Sequence, residues 1–277
     1  MKQTIEIKIP ADLSLSSTVR NMAVTVFTSA GFSKEWCNRL KLVVDELFMN
    51  AVQYGSTYGV SVVQISFAFD AKTFECCVED DGTGTIKVSP KALKEMLLDE
   101  KITPNPTQTS GRGLSVIAHL WTDHIDIKKS ALGGIMITFV KTIESQDPPT
   151  PVPHTPLNAL VNLERKKEPT TPPLASPSKP SLSPPVTTVK LNGEIDAETM
   201  DATIHTMEDH IHQLSSGSTL VLDFKNVDYI NSTFIGYLAA WHNEIISKSV
   251  HLQIKNVNVA VRDVLDLVGL SNVLDVQ

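Results

Sequence analysis

Hydrophobic positions change their period along the chain, and each change marks an element. Thr4–Ile9 alternates apolar and polar side chains, which predicts a strand. Two helical patterns follow. Ser14–Ala30 is closed by Gly31, and Ser33–Tyr54 opens on a Ser cap and ends at Gly55. Val60–Phe69 and Thr73–Glu79 alternate again on either side of Asp70-Ala71-Lys72, as paired strands do. A short helix at Pro90–Leu98 precedes a polar, proline-containing segment from Asp99 to Ser110. A helix over Gly113–Trp121 and strands at Ile125–Lys129 and Ile135–Val140, flanking Leu132-Gly133-Gly134, complete this half. Helices clustered apart from mainly antiparallel strands predict an α/β sandwich.

The pattern then stops and restarts. Twelve of the sixteen prolines lie between Gln146 and Pro185, with few bulky apolar residues among them. Such a stretch buries too little surface to offset the entropy of ordering it, so it predicts a linker, partly extended as polyproline II. We therefore expect domains at 1–145 and 186–277 joined by a flexible linker at 146–185. The second half alternates strand and helix: Thr188–Leu191, Ala197–Leu214, Thr219–Phe224, Ser232–Ser247, Val250–Ile254 and Val259–Val268. That order predicts βα units around a small sheet.

Composition narrows the class. A chain of 277 residues, 42% hydrophobic and 20% charged, is long enough for two globular domains. The net charge of −7 argues against nucleic acid as a direct partner. The first residues read as a strand, not as a signal peptide. The longest apolar runs, Ile135–Val140 and Val62–Phe69, are too short to span a bilayer. Three cysteines (Cys37, Cys76 and Cys77) have no metal-binding spacing, and they fit thiols of a reducing cytoplasm.

Three short segments carry chemistry. Glu46, Asn50 and Gln53 fall at i, i+4 and i+7 of one predicted helix, away from the arc of Val44, Leu47, Phe48 and Ala51. A carboxylate one turn from an amide suits a magnesium–phosphate site with a base beside it. Asp80-Asp81-Gly82-Thr83-Gly84 follows a hydrophobic strand, where glycines admit a ligand close to the backbone and a carboxylate can accept from an adenine amine. Gly111-Arg112-Gly113 precedes an apolar helix whose first N–H groups can bind phosphate, with Arg112 adding donors. Singly, these are a solvated helix face, an acidic turn and a flexible loop. Their order and spacing make them more.

Residues 4–141 resemble the GHKL ATPase superfamily (gyrase, histidine kinase and MutL type), and more narrowly the bacterial anti-sigma-factor serine kinases. Asp45–Gly55 matches the family's N box, Val78–Gly84 its first glycine box and Gly111–Ile117 its second. The resemblance implies ATP and Mg²⁺ as cofactors, Glu46 as general base and Asn50 as Mg²⁺ ligand. It implies Asp80 at adenine, Gly82, Gly84, Gly111 and Gly113 around the nucleotide, and a lid over 85–110. Tyr54 stands where many relatives carry His. A sensor histidine kinase would need an acceptor His on a preceding hairpin, and no histidine occurs before His119. His205, His210 and His212 read as surface residues.

Gly193-Glu194-Ile195-Asp196, Thr219–Phe224, Tyr229–Gly236 and Ala260–Leu270 resemble the STAS domain, the fold of anti-sigma-factor antagonists that such kinases phosphorylate. Ser232 holds the family's acceptor position and Thr233 is a lesser candidate, but Asn231 replaces an Asp and Phe234 a Gly. The expectation is that losing the Asp removes a charge beside the acceptor, and that Phe234 crowds the approach of a kinase. A linker of about 40 residues spans roughly 35 Å and holds the domains near millimolar effective concentration. Either Ser232 is phosphorylated within the chain, or the second domain is a docking module that resists phosphorylation. The resemblance thus implies a serine kinase of a partner-switching pathway, acting on a STAS serine in cis or in trans. Its partners would be a STAS-domain antagonist or a sigma factor, and by analogy the kinase domain forms a homodimer. The alternative is a non-catalytic ATP-binding hub whose STAS domain docks or autoinhibits.

Overall fold

The computed structural model describes residues 2–85, 87–98, 121–143 and 185–277. In the first half, five strands form one antiparallel sheet: β1 (Gln3–Pro10), β2 (Val62–Phe69), β3 (Thr73–Glu79), β4 (His124–Lys129) and β5 (Ile135–Thr142), in the order β1-β2-β3-β5-β4. Helices α1 (Ser16–Ala30) and α2 (Lys34–Asn50) cover one face, and α3 spans Pro90–Leu98. Gly31 ends α1 at φ +103°, a left-handed conformation that costs other residues more. Ser33 caps α2 by accepting from the Trp36 N–H at 3.3 Å. Alternation on β2 turns Val63, Ile65, Phe67 and Phe69 inward, where Phe27 and Phe74 meet them ring to ring. This is the α/β sandwich expected from the pattern.

Two details of this half position chemistry. The end of α2 widens into a π-helical turn over Ala51–Gly55, a feature frequent at functional sites. The β3–β5 ladder runs on past its last strand residue through Asp80 N–H to Ile135 O at 3.1 Å, which brings Asp80 against the Gly133-Gly134 turn.

The second half is a parallel sheet, β6 (Val186–Ile195), β7 (Thr219–Ile230), β8 (His251–Lys255) and β9 (Asp275–Val276), in that order. Helices α4 (Met200–Gln213), α5 (Ser232–Ser247) and α6 (Val259–Leu267) complete it. Strands β6 and β7 run longer than the sequence pattern indicates because their pairing continues through register shifts near Asn192 and Gly193. Strand β9, two residues long, has no sequence signal of its own. A single residue, Asn231, separates β7 from α5 and serves as its N-cap.

The two halves are in contact. Tyr229 and Val264 of the second are buried in the hydrophobic cluster of the first. The linker expected at 146–185 lies, apart from Pro185, outside the described residues, as does most of the helix expected at 113–121.

Candidate active site

On α2, the Asn50 Nδ2 donates to Glu46 Oε1 at 3.1 Å, the i, i+4 pair read from the sequence. Val44, Leu47, Phe48 and Ala51 form the core side as expected. Glu46 itself is buried, and the second domain reaches it. The Ser232 hydroxyl, at the first turn of α5, donates to Glu46 Oε2. Burial pushes the Glu46 carboxyl above the ordinary range; the hydrogen bonds from Ser232 and Asn50 oppose this, and the nearby Asp45 charge adds to it. A buried carboxylate of raised basicity, holding a hydroxyl, is what general-base catalysis needs. Beside the pair lies a cavity of about 200 Å³, with Glu46, Asn50 and Tyr54 on one wall and Asp201, Thr233 and Tyr237 on the other.

Asp80 sits in a glycine cradle. Its Oδ1 accepts from the N–H groups of Gly82 at 2.9 Å and Ile135 at 3.1 Å. A Cβ on Gly55 would lie 2.2 Å from Asp80 Cγ, one on Gly134 1.8 Å from Asp80 Oδ1, and one on Gly84 2.1 Å from the Tyr54 carbonyl oxygen. The cradle therefore joins the end of the N box to the first glycine box. Gly134 enters from a turn that the sequence marks only as a turn. Burial raises the Asp80 carboxyl, against the two backbone N–H bonds. Oδ2 faces Gly55, where an added Cβ would lie 2.4 Å from it.

These residues fit ATP and Mg²⁺. Among the described residues no group of three or more His, Cys, Asp and Glu is placed to hold a metal. A cation here would be bound by the hard oxygen of Asn50 together with nucleotide phosphates and water, as Mg²⁺ prefers. Gly82 packs on the Gly133-Gly134 turn and Gly84 on the Tyr54 carbonyl. Gly111, Arg112, Gly113 and the lid residues 99–110 lie outside the described residues.

A second constellation, which sequence reading did not assemble, joins the domains. Arg20 of α1 is fully buried. It bonds Asp45 at 2.8 Å on its own domain, and Asp196 at 2.6 Å and Glu194 on the other. Its guanidinium lies 4.3 Å from the centroid of the Tyr229 ring, whose hydroxyl donates to Asp45 Oδ2 at 2.8 Å. Burial works against the Arg20 charge, but Asp45, Asp196 and Glu194 outweigh it and raise its basicity further. Lys41 Nζ sits 4.7 Å from the centroid of the same ring, and Arg39 pairs with Asp263 at 3.1 Å. Asp45 and Gly193–Asp196 were in view as motif residues. Arg20, a lone base in a helical pattern, carried no signal.

Phe234 requires a correction. Its ring is not in the path of the kinase: it lies in the core of its own domain, against Phe224 and Trp241. The first turn of α5 directs Ser232 outward and Phe234 inward, so the large side chain leaves the acceptor open. Thr233 lines the cavity, and His205 and His212 are exposed. The three cysteines are buried and free. No described helix is long and apolar enough to cross a membrane.

Comparison with known proteins agrees with this anatomy. The family described as the histidine kinase-like ATPase domain matches residues 9–141, and the family described as Mlab, STAS domain matches residues 179–275. A search of curated proteins gives no match. Among solved structures, the chain is similar to the RsbU and RsbW domains of Rv1364c from Mycobacterium tuberculosis, at 17% identity and a TM-score of 0.33. That match covers 50% of this chain and 32% of the other, so the chain spans about a third of that structure's length. Residues 9–141 are thus a histidine kinase-like ATPase domain of the GHKL class, and in this chain it is fused to a STAS domain.

Proposed function

We infer that the chain is an ATP- and Mg²⁺-dependent protein serine kinase whose substrate is its own STAS domain, with Ser232 as the acceptor. One observation carries this reading: the Ser232 hydroxyl donates to Glu46, the residue that the N box supplies as base. ATP with Mg²⁺ would supply the phosphoryl group and the cation that offsets its charge. Glu46 takes the hydroxyl proton and so makes Ser232 Oγ the nucleophile. Asn50 orients Glu46 through its amide N–H, and its oxygen would hold the cation. The Arg20 and Tyr229 contacts hold the acceptor in place, as orientation requires. The STAS domain excludes water from the carboxylate, which it covers.

Intact-mass measurement of the full chain with Mg²⁺ and ATP tests this. The expected result is one added phosphoryl group, mapped to Ser232, at a rate independent of protein concentration. Labelling that scales with concentration would indicate transfer in trans, and no labelling would overturn the kinase reading.

Burial of Arg20 and Tyr229 at the contact favours a second reading, in which the STAS domain is a lasting plug over a regulatory ATPase. A separate STAS-domain antagonist or sigma factor would then compete for the covered face. Nucleotide binding without Ser232 labelling, together with tighter partner binding after deletion of 186–277, is the outcome this reading expects.

A further inference from the structure

Resting on the cis reaction described above, we propose that Asn231 is its positioning residue: the uncharged amide beside the acceptor is what allows the STAS domain to seat Ser232 on Glu46. Sequence comparison suggested the opposite, that Asn in place of Asp makes Ser232 a poorer acceptor.

Asn231 is fully buried and held at every polar atom. Its backbone N–H bonds the Ile195 carbonyl at 3.0 Å, and its own carbonyl accepts from Ile235 at 3.1 Å. Its Oδ1 accepts from the Phe234 N–H at 2.8 Å, capping α5. Its Nδ2 points across the domain boundary to Met49 Sδ, 3.9 Å away and one turn along α2 from Glu46. An amide can do both: one atom accepts from the helix while the other donates to a weak acceptor. A carboxylate could cap the helix equally well, but its second oxygen would face a thioether that has nothing to donate.

Charge makes the difference larger. Carboxylates from both domains gather at the contact that holds the acceptor. Asp45 and Glu46 come from α2, and Glu194 and Asp196 from the end of β6 and the turn after it. Among the described residues, the cations facing this group are Arg20 from α1 and Lys41 from α2. Arg20 already serves Asp45, Glu194 and Asp196, and burial lowers the basicity of Lys41. Tyr229, the neighbouring hydroxyl, is committed to Asp45. A further buried carboxylate at 231 would have no unused cation to meet, and an unpaired buried charge disfavours the state that buries it. That state is the docked one. When the domains separate, the group faces water. Neutrality at 231 therefore biases the chain toward the arrangement in which transfer takes place.

The test uses the full chain with Asn231→Asp, which keeps cap and shape but adds charge, and Asn231→Ser, which keeps a cap without charge. Docking is read without nucleotide, from amide exchange of α2 and α5 and from small-angle scattering. Transfer is read with Mg²⁺ and ATP as the rate of Ser232 phosphorylation. For Asn231→Asp we expect a docking equilibrium weaker by on the order of a hundredfold, with Ser232 labelling slowed in step. Docking should recover as pH falls and the introduced carboxyl protonates, beyond any change of the wild type, which carries Asp45, Glu46, Glu194 and Asp196 alike. Asn231→Ser should dock within about tenfold of wild type. Equal docking of Asn231→Asp and wild type would overturn the proposal, as would a larger loss in Asn231→Ser. A wild type that docks but never labels Ser232, with Asn231→Asp undocked, would sink the cis-kinase reading and leave the role of Asn231 in docking standing.

Discussion

Replacing Arg20 by Ala should separate the domains without unfolding either. Arg20 is fully buried and bonds three carboxylates, of which Asp196 at 2.6 Å and Glu194 belong to the STAS domain. The bond to Asp45 at 2.8 Å lies within the ATPase domain and does not cross the contact. The loss specific to docking is therefore the pair of charge-assisted bonds to Glu194 and Asp196, plus the contact with the Tyr229 ring. Removing one partner of a buried ion pair costs about 3–5 kcal/mol, because the remaining charges stay desolvated. Here the chain can avoid that cost by undocking, which rehydrates Asp196 and Glu194. The docking equilibrium should then weaken by roughly two to four orders of magnitude, and the cis phosphorylation rate should follow. Arg20→Lys should behave much like Ala, since one ammonium cannot span carboxylates that a planar guanidinium bridges. Small-angle scattering of the nucleotide-free chain and the rate of Ser232 labelling measure the two effects. A double-mutant cycle between Arg20→Ala and Asp196→Ala should show coupling above about 1 kcal/mol. If Arg20→Ala left both compactness and labelling rate unchanged, the ion network would not be what holds the acceptor.

Four further outcomes are expected. Glu46→Gln should slow Ser232 phosphorylation by about 10²–10⁴-fold, by intact mass, while nucleotide still binds. Because burial raises the Glu46 carboxyl, the cis rate should fall with decreasing pH at a midpoint above the ordinary glutamate range, seen in single-turnover rates across pH. The same shift means that docking favours protonated Glu46: this contribution is present at low pH and is lost as pH rises through the docked-state value. Glu46→Gln should therefore dock more tightly than wild type at pH 8, despite its slowed transfer. Gly55→Ala would place a Cβ 2.2 Å from Asp80 Cγ, so nucleotide affinity by calorimetry should drop at least about tenfold, with a stability loss of roughly 1–3 kcal/mol.

Local periodicity made most of the fold legible. The alternation of β2 and the Ser33 cap of α2 act within a few residues, and they appear in the structure where the sequence puts them. The strand β7 ran past its expected end at Phe224 because the polar residues Lys225 and Asn226 occupy exposed positions of a still-paired strand, which reads locally as a turn. The Glu46–Asn50 pair was legible because helical spacing alone brings the two together. Gly134 was not, since its closeness to Asp80 depends on how β3 and β5 are registered, 55 residues apart in the Ile135–Asp80 bond.

The domain contact marks the limit of that legibility. Arg20 meets Glu194 and Asp196 across 174 and 176 residues; the two acids stood out only as motif residues, and Arg20 looks like an ordinary surface charge in its helical pattern. Glu46 looked solvated for the same reason: its helix face is polar, and its contact with Ser232 spans 186 residues. Burial then changes the chemistry, because a carboxylate in water is a weak base, whereas one desolvated against a hydroxyl is a stronger one. The base of the proposed reaction is thus made effective by its own substrate. A free kinase domain, with Glu46 hydrated, should be a poorer catalyst toward any unanchored hydroxyl. That selectivity needs no pocket shaped for serine: it follows from the STAS surface that excludes water as it delivers Ser232.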